Sequence, residues 1–258
     1  VSLLRDLKYQ IKLNLASAAI RIGSLIVFAI AVLESHQHAS DALAASMGAF
    51  NGSQTRTAIF SSESEVILFS SAAGIGLIIA LAIGALIGGS EMRSQGLALR
   101  VCLSPNRLSL IKSWMISAAI FGAAIILISI LGSIIGFGVA DWESVPGNIL
   151  SYHFGTQAIT AVAGGAIAGV LGVGMSVALR SDFLAIGAAF VWITGIEFIL
   201  SGNAQLIPQR WLPWASIQAT VLTAGSDLSL IDFVVALAWV SAIGAIGIRS
   251  FLTRDVRV

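Results

Sequence analysis

The chain has 258 residues, 57% hydrophobic and 10% charged, with a formal net charge of +1 and a mean hydropathy of +0.95. A soluble domain is about a quarter charged, so this composition excludes an ordinary water-solvated fold and asks for a bilayer as solvent. The near-neutral balance offers nothing to nucleic acid, and the single cysteine, Cys102, excludes an intramolecular disulfide and any cysteine-built zinc site.

Residues 1–15 read as an amphipathic interfacial helix. Leu3, Leu4, Leu7, Ile11 and Leu15 recur at helical spacing beside a basic stripe of Arg5, Lys8 and Lys12, the pattern of a helix lying along the inner membrane surface. An ordinary basic flank to the first span is the simpler alternative. No small-x-small cleavage site follows the first apolar run, so the segment is read as retained rather than as a signal peptide.

Six apolar runs are long enough to cross a hydrocarbon core of about 20 helical residues. They lie at about 15–34, 66–89, 112–137, 156–179, 183–200 and 231–249, and Pro105, Pro146, Pro208 and Pro213 all fall between them. Twelve of the fourteen Lys and Arg residues lie on one side of this topology, with only Arg56 and Arg210 on the other. The positive-inside rule then predicts a multi-pass protein of the inner (plasma) membrane with both termini cytoplasmic.

The main cytoplasmic segment is "GSEMRSQGLALRVCLSPNRLSLIK", residues 89–112. Arg93, Arg100, Arg107 and Lys112 alone would anchor it inside, but Glu91, the interleaved Leu97, Leu99 and Leu103, and Ser104-Pro105 exceed what an anchor needs. A helix from Glu91 to Leu103 would set the carboxylate at its N-terminus and present Arg93 and Arg100 on one face, with Pro105 as its stop. The segment 201–230 carries Trp211, Trp214, Pro208 and Pro213 among apolar residues. It reads either as a re-entrant external hairpin with aromatic anchors or as a loop packed on the outer ends of the spans.

Chemistry inside the spans is sparse. Glu197 is the ionisable residue clearly within one, and either hydrogen-bonds in the bundle or serves substrate or protons. The three Lys follow Leu7, Ile11 and Ile111, so no phosphate-cradling Gly-Lys-Ser/Thr loop is present and no nucleotide-binding domain is encoded. His36 and His38 lack a third metal ligand nearby. Gly84-x-x-x-Gly88, Gly132-x-x-x-Gly136 and Gly165-x-x-x-Gly169 give faces without side-chain bulk for close helix packing, extended by Gly172 and Gly174.

Six spans with both ends inside, an amphipathic first helix, and an inner loop carrying Glu91, Gly96, Leu97, Leu99, Leu103, Ser104-Pro105, Arg107 and Lys112 together resemble the permease subunits of ABC type-2 exporters. The layout covers nearly the whole chain; the residue-level match is confined to the inner loop, where this chain has Gln95-Gly96 in place of the Gly-Thr or Gly-Gln of many members. The resemblance implies an all-α membrane protein whose inner loop forms a coupling helix docked on a separate ATPase. Glu91, Arg93, Gly96, Leu97, Arg100, Leu103, Pro105 and Arg107 would then carry coupling, and Arg5, Lys8 and Lys12 the interfacial helix. It also implies a broken external hairpin between spans five and six.

The expected function is therefore the transmembrane subunit of an ATP-driven exporter of a hydrophobic or amphipathic molecule, such as a peptide antibiotic, drug or lipid-like compound. Expected partners are two ABC ATPase copies, a second permease subunit, identical or related, and membrane lipid. The chain itself binds no cofactor, ATP and Mg belonging to the ATPase, and it is not an enzyme. Glu197, Trp211 and Trp214 are the candidates for substrate contact or gating. An ion-gradient-driven transporter or channel built on Glu197, with Asp232, is the competing class, and a sensory or scaffolding protein the third.

Overall fold

The computed structural model describes residues 2–49, 68–93, 107–140, 152–202, 208, 211–222 and 230–253. Among these the regular structure is entirely helical: α1 (Ser2–Ala16), α2 (Ala18–Ala49), α3 (Leu77–Arg93), α4 (Arg107–Ala140), α5 (Tyr152–Leu179), α6 (Asp182–Val191), α7 (Phe198–Gly202), α8 (Pro213–Leu222) and α9 (Leu230–Leu252). Two π-helical turns, Ala72–Gly76 and Trp192–Glu197, lie within the second and fifth spans. Six helices are long and apolar enough to cross a membrane: Ala18–Asp41, Leu68–Ser90, Arg107–Ala140, Phe154–Leu179, Asp182–Leu200 and Ile231–Leu252. The chain is a multi-pass membrane protein by this measure, with the spans where hydropathy puts them.

Two helices run further than the apolar pattern suggests. The third span starts at Arg107 rather than near Lys112, and the first runs to Asp41 rather than 34, with α2 continuing to Ala49, so that His36 and His38 lie on exposed helix near the end of that span. Two residues apart on a helix, these histidines point in different directions.

The bundle is built around α5, which packs against α3, α4, α8 and α9. Between helices surrounded by lipid there is little hydrophobic drive, so attraction depends on close contact, and glycine supplies it. A β-carbon added at Gly84 of α3 would fall on the carbonyl of Gly169, and one at Gly122 of α4 on the carbonyl of Gly165. At Gly136 it would meet the Val32 carbonyl of α2, while Gly174 lies against Gly244 of α9. The glycine pairs therefore mark the real crossings. Burial follows the same order: 67% of the second span's apolar window and 61% of the fourth's lie inside the protein, against 22% for the first and 17% for the fifth. The second and fourth spans are core, and the first and fifth are periphery.

Between spans two and three the apolar core is interrupted by hydroxyls: Ser71 bonds Ser133 at 2.7 Å and lies 3.4 Å from Ser129. Such interhelical bonds satisfy one another where water is absent. Spans four and five are joined by a two-residue turn in which Arg180 takes the left-handed conformation (φ 58°) and Ser181 caps α6, its hydroxyl accepting the Leu184 N–H. So short a connection makes the two helices antiparallel neighbours.

Candidate functional site

α8 is the one short helix between the fifth and sixth spans in the described residues, and its Pro213, Trp214, Ser216, Ile217, Thr220 and Val221 are buried. Proline suits the first helical position, because its missing N–H needs no partner there. The next N–H groups do need one, and Leu212, which precedes the proline, has no side-chain acceptor. Glu197 supplies it. Its Oε1 accepts the Trp214 N–H at 2.7 Å and its Oε2 the Ala215 N–H at 3.0 Å, so a carboxyl group from the fifth span acts as the helix's N-cap. The acidic group also meets the positive end of the helix dipole. Oε1 accepts a third bond from Trp192 Nε1 at 2.7 Å, which fixes the carboxyl across the π turn that ends at Glu197.

Two further bonds hold α8 along its length. Gln218 Nε2 donates to the carbonyl of Ala73, inside the π turn of the second span, at 3.3 Å. Gln157 Nε2, from the start of α5, donates to the carbonyl of Val221 at 3.2 Å. Trp239 of α9 donates its indole N–H to the carbonyl of Trp211 at 3.0 Å, just before α8 begins. The segment is thus tied by side chains to spans two, four, five and six, and both π turns take part. π turns inside α-helices recur at functional sites, where the extra residue redirects side chains.

At the other end of the bundle α1 lies across the start of α4. Asp6 Oδ2 accepts from the Ser109 hydroxyl at 3.2 Å, and Asn14 Nδ2 donates to the Ser117 hydroxyl at 2.8 Å. The face turned to the protein carries Gln10 and Asn14, both buried. Of the expected apolar stripe, Leu4 and Leu15 point away from the bundle, 74% and 60% exposed, whereas Leu3, Leu7 and Ile11 are half-buried. Arg5, Lys8 and Lys12 are exposed, as an interfacial basic stripe requires. Arg21 donates to the carbonyl of Ala16, satisfying one of the open acceptors where α1 ends.

Of the expected coupling residues, Gly96, Leu97, Arg100, Leu103 and Pro105 lie outside the described residues. Glu91 and Arg93 occupy the last turn of α3, so Glu91 does not open a new helix. The second span's helix simply runs on, because Ser90 and Met92 give it no reason to stop. Arg107 is the first residue of α4. The structure brings Glu197 and Trp214 together, while Trp211 is 54% exposed and contributes its carbonyl. Sequence reasoning passed over Trp192, Gln218, Gln157 and Trp239. No protein-family model matches this chain, and a search of curated proteins finds no match.

Proposed function

We propose that this chain is the transmembrane permease subunit of an ATP-driven exporter, similar to ABC type-2 permeases. It moves a hydrophobic or amphipathic molecule out of the cytoplasm or the inner leaflet. Hydrolysis belongs to a separate ATPase present in two copies, which holds ATP and Mg, and a second permease subunit completes the complex. The termini and the 94–106 segment face the cytoplasm, as the distribution of Lys and Arg requires. The segment around α8 is the re-entrant element on the outer side.

The observation that supports this reading best is the bonding of α1 to the first turns of α4, at Ser109 and Ser117. These turns follow directly on the segment 94–106. A load applied there by a partner reaches the third span and the surface helix together, and the third span is packed against α2, α3 and α5. Glu197, the residue on which an ion-coupled transporter would depend, has both oxygens engaged by N–H groups of the fold.

The test is to extract the protein in mild detergent and ask whether an ATPase with a Gly-Lys-Ser/Thr loop accompanies it. Co-reconstitution should then give ATPase activity stimulated by the permease, and the double variant Glu91→Ala, Arg100→Ala should lose that stimulation while keeping its helical fold. Absence of an ATPase under several extraction conditions, or full stimulation by the double variant, would overturn the reading.

A further inference from the structure

The first turn of α8, held in place by Glu197, forms the roof of a side pocket of about 210 Å³. Its floor is Leu81 of span two with Leu171 and Met175 of α5, and its walls include Trp192, Trp214 and Trp239. The floor is buried, Leu81 being 3% and Leu171 5% exposed, and the roof residue Trp214 is 4% exposed. The rim is not: Ala188 of α6 and Trp239 of α9 are exposed. The pocket therefore opens sideways, between the fifth and sixth spans. On those spans the neighbouring exposed residues are Phe183, Leu184, Phe190, Val234 and Leu237, the surface that lipid tails solvate.

The walls have no polar function to offer. An indole normally brings a hydrogen-bond donor to a site, but Trp192 directs its N–H to Glu197 and Trp239 directs its own to the Trp211 carbonyl. Apart from the Trp214 indole, the other lining side chains named are aliphatic or thioether, and the surface that the residues together give the pocket is almost wholly apolar. A charged or hydroxylated group entering here would lose its water without gaining a partner, which disfavours any headgroup or polar cargo. A hydrocarbon chain loses nothing. An apolar protein cavity of roughly 150 Å³ takes up benzene, so this one is large enough for a stretch of an acyl chain.

We propose that the pocket is a lateral site for one acyl chain of a membrane phospholipid, inserted between spans five and six beneath the Glu197-capped helix. The chain would pack on the three indole faces and touch α8 through Pro213 and Trp214, so that lipid occupancy bears on the same helix that links four spans. The small side chain of Ala188 at the rim is what leaves the mouth open. This inference rests on the pocket and its lateral opening, and not on the ATPase reading.

The test uses the full chain in liposomes of palmitoyl-oleoyl phosphatidylcholine doped with a phosphatidylcholine carrying a diazirine near the end of one acyl chain. After irradiation, peptide mass spectrometry maps the adducts. Adducts are expected on the buried Leu171, Met175 or Trp214 in addition to the outward Phe183, Phe190 and Phe198. Ala188→Phe should close the mouth and abolish the buried adducts while leaving the outward ones unchanged, which also reports that the variant is folded and inserted. Ile243→Trp, on the opposite wall, provides an independent block should the first variant fail to fold. Wild-type adducts confined to outward residues, or buried adducts that survive a folded blocking variant, would overturn the proposal.

Discussion

Glu197 and Trp214, seventeen residues apart in the chain, are joined by a 2.7 Å bond from the Trp214 backbone N–H to Oε1 of Glu197. An acidic side chain in a membrane span is costly unless every lone pair that points inward has a donor. Here the donors are the open N–H groups of a helix that begins with proline and the indole of Trp192. Each component removes the other's deficit, so the carboxyl group and the start of α8 stand or fall together.

Glu197→Ala is predicted to leave the N–H groups of Trp214 and Ala215 and the Trp192 indole without their acceptor. The expected loss of stability is at least about 2 kcal/mol, from the lost cap and the exposed deficit of buried donors. Glu197→Gln keeps one oxygen but turns an amide toward a donor, and should lose on the order of 1 kcal/mol. Thermal unfolding in detergent, read by tryptophan fluorescence, would give the order wild type, Gln, Ala; an Ala variant as stable as wild type would remove the capping argument.

Glycine at the helix crossings is expected to be intolerant in a way that its sequence neighbours are not. At Gly169 an added β-carbon would strike the carbonyl of Ala118, whereas at Gly187 nothing lies within 4 Å. Gly169→Ala should cost on the order of 3 kcal/mol, since backbone must separate to admit it. Gly187→Ala should change stability by less than about 1 kcal/mol, and in the favourable direction on helix propensity. Monodisperse yield by size-exclusion chromatography distinguishes them, and equal behaviour of the two would contradict the packing scheme.

The contact between α1 and the third span can be measured as a coupling energy. Asn14 donates to Ser117 where both are buried, so the single variants Asn14→Ala and Ser117→Ala and their combination should give a coupling of about 1 kcal/mol. Strict additivity across the three variants would mean that α1 is not held to α4 by this bond.

Arg180 carries the left-handed backbone conformation that its β-carbon resists. Replacing it by glycine should relieve about 1 kcal/mol of steric cost, visible as a raised unfolding temperature in detergent. A lower temperature for Arg180→Gly would show that the guanidinium contributes more than the turn costs.

Hydropathy located all six spans, within about three residues at every end except the end of the first, which runs to Asp41, and the start of the third, at Arg107; the glycine pairs named several of the faces along which they meet. The polar seam of α1 was also legible, in Asp6, Gln10 and Asn14 at spacings of four, but the neighbouring leucines carried a stronger signal and the contact with α4 went unread. Glu91 was read as a helix start because it opens a polar stretch. It falls instead in the last turn of α3, since backbone hydrogen bonding does not end where polarity begins.

Composition and periodicity by themselves determined that this protein is a helical, multi-pass membrane protein, because a segment crossing hydrocarbon must satisfy its own backbone and be apolar over about 20 residues. α8 begins at Pro213 with no side-chain acceptor at Leu212 before it, so its open N–H groups take their acceptor from outside the helix. Only the tertiary structure decided that this acceptor is Glu197, that Gln218 and Gln157 hold the rest of the helix, and that three indoles converge on one apolar pocket. Those contacts join residues from spans two, four, five and six, and a pairing that depends on how helices cross leaves no periodic trace in any one of them.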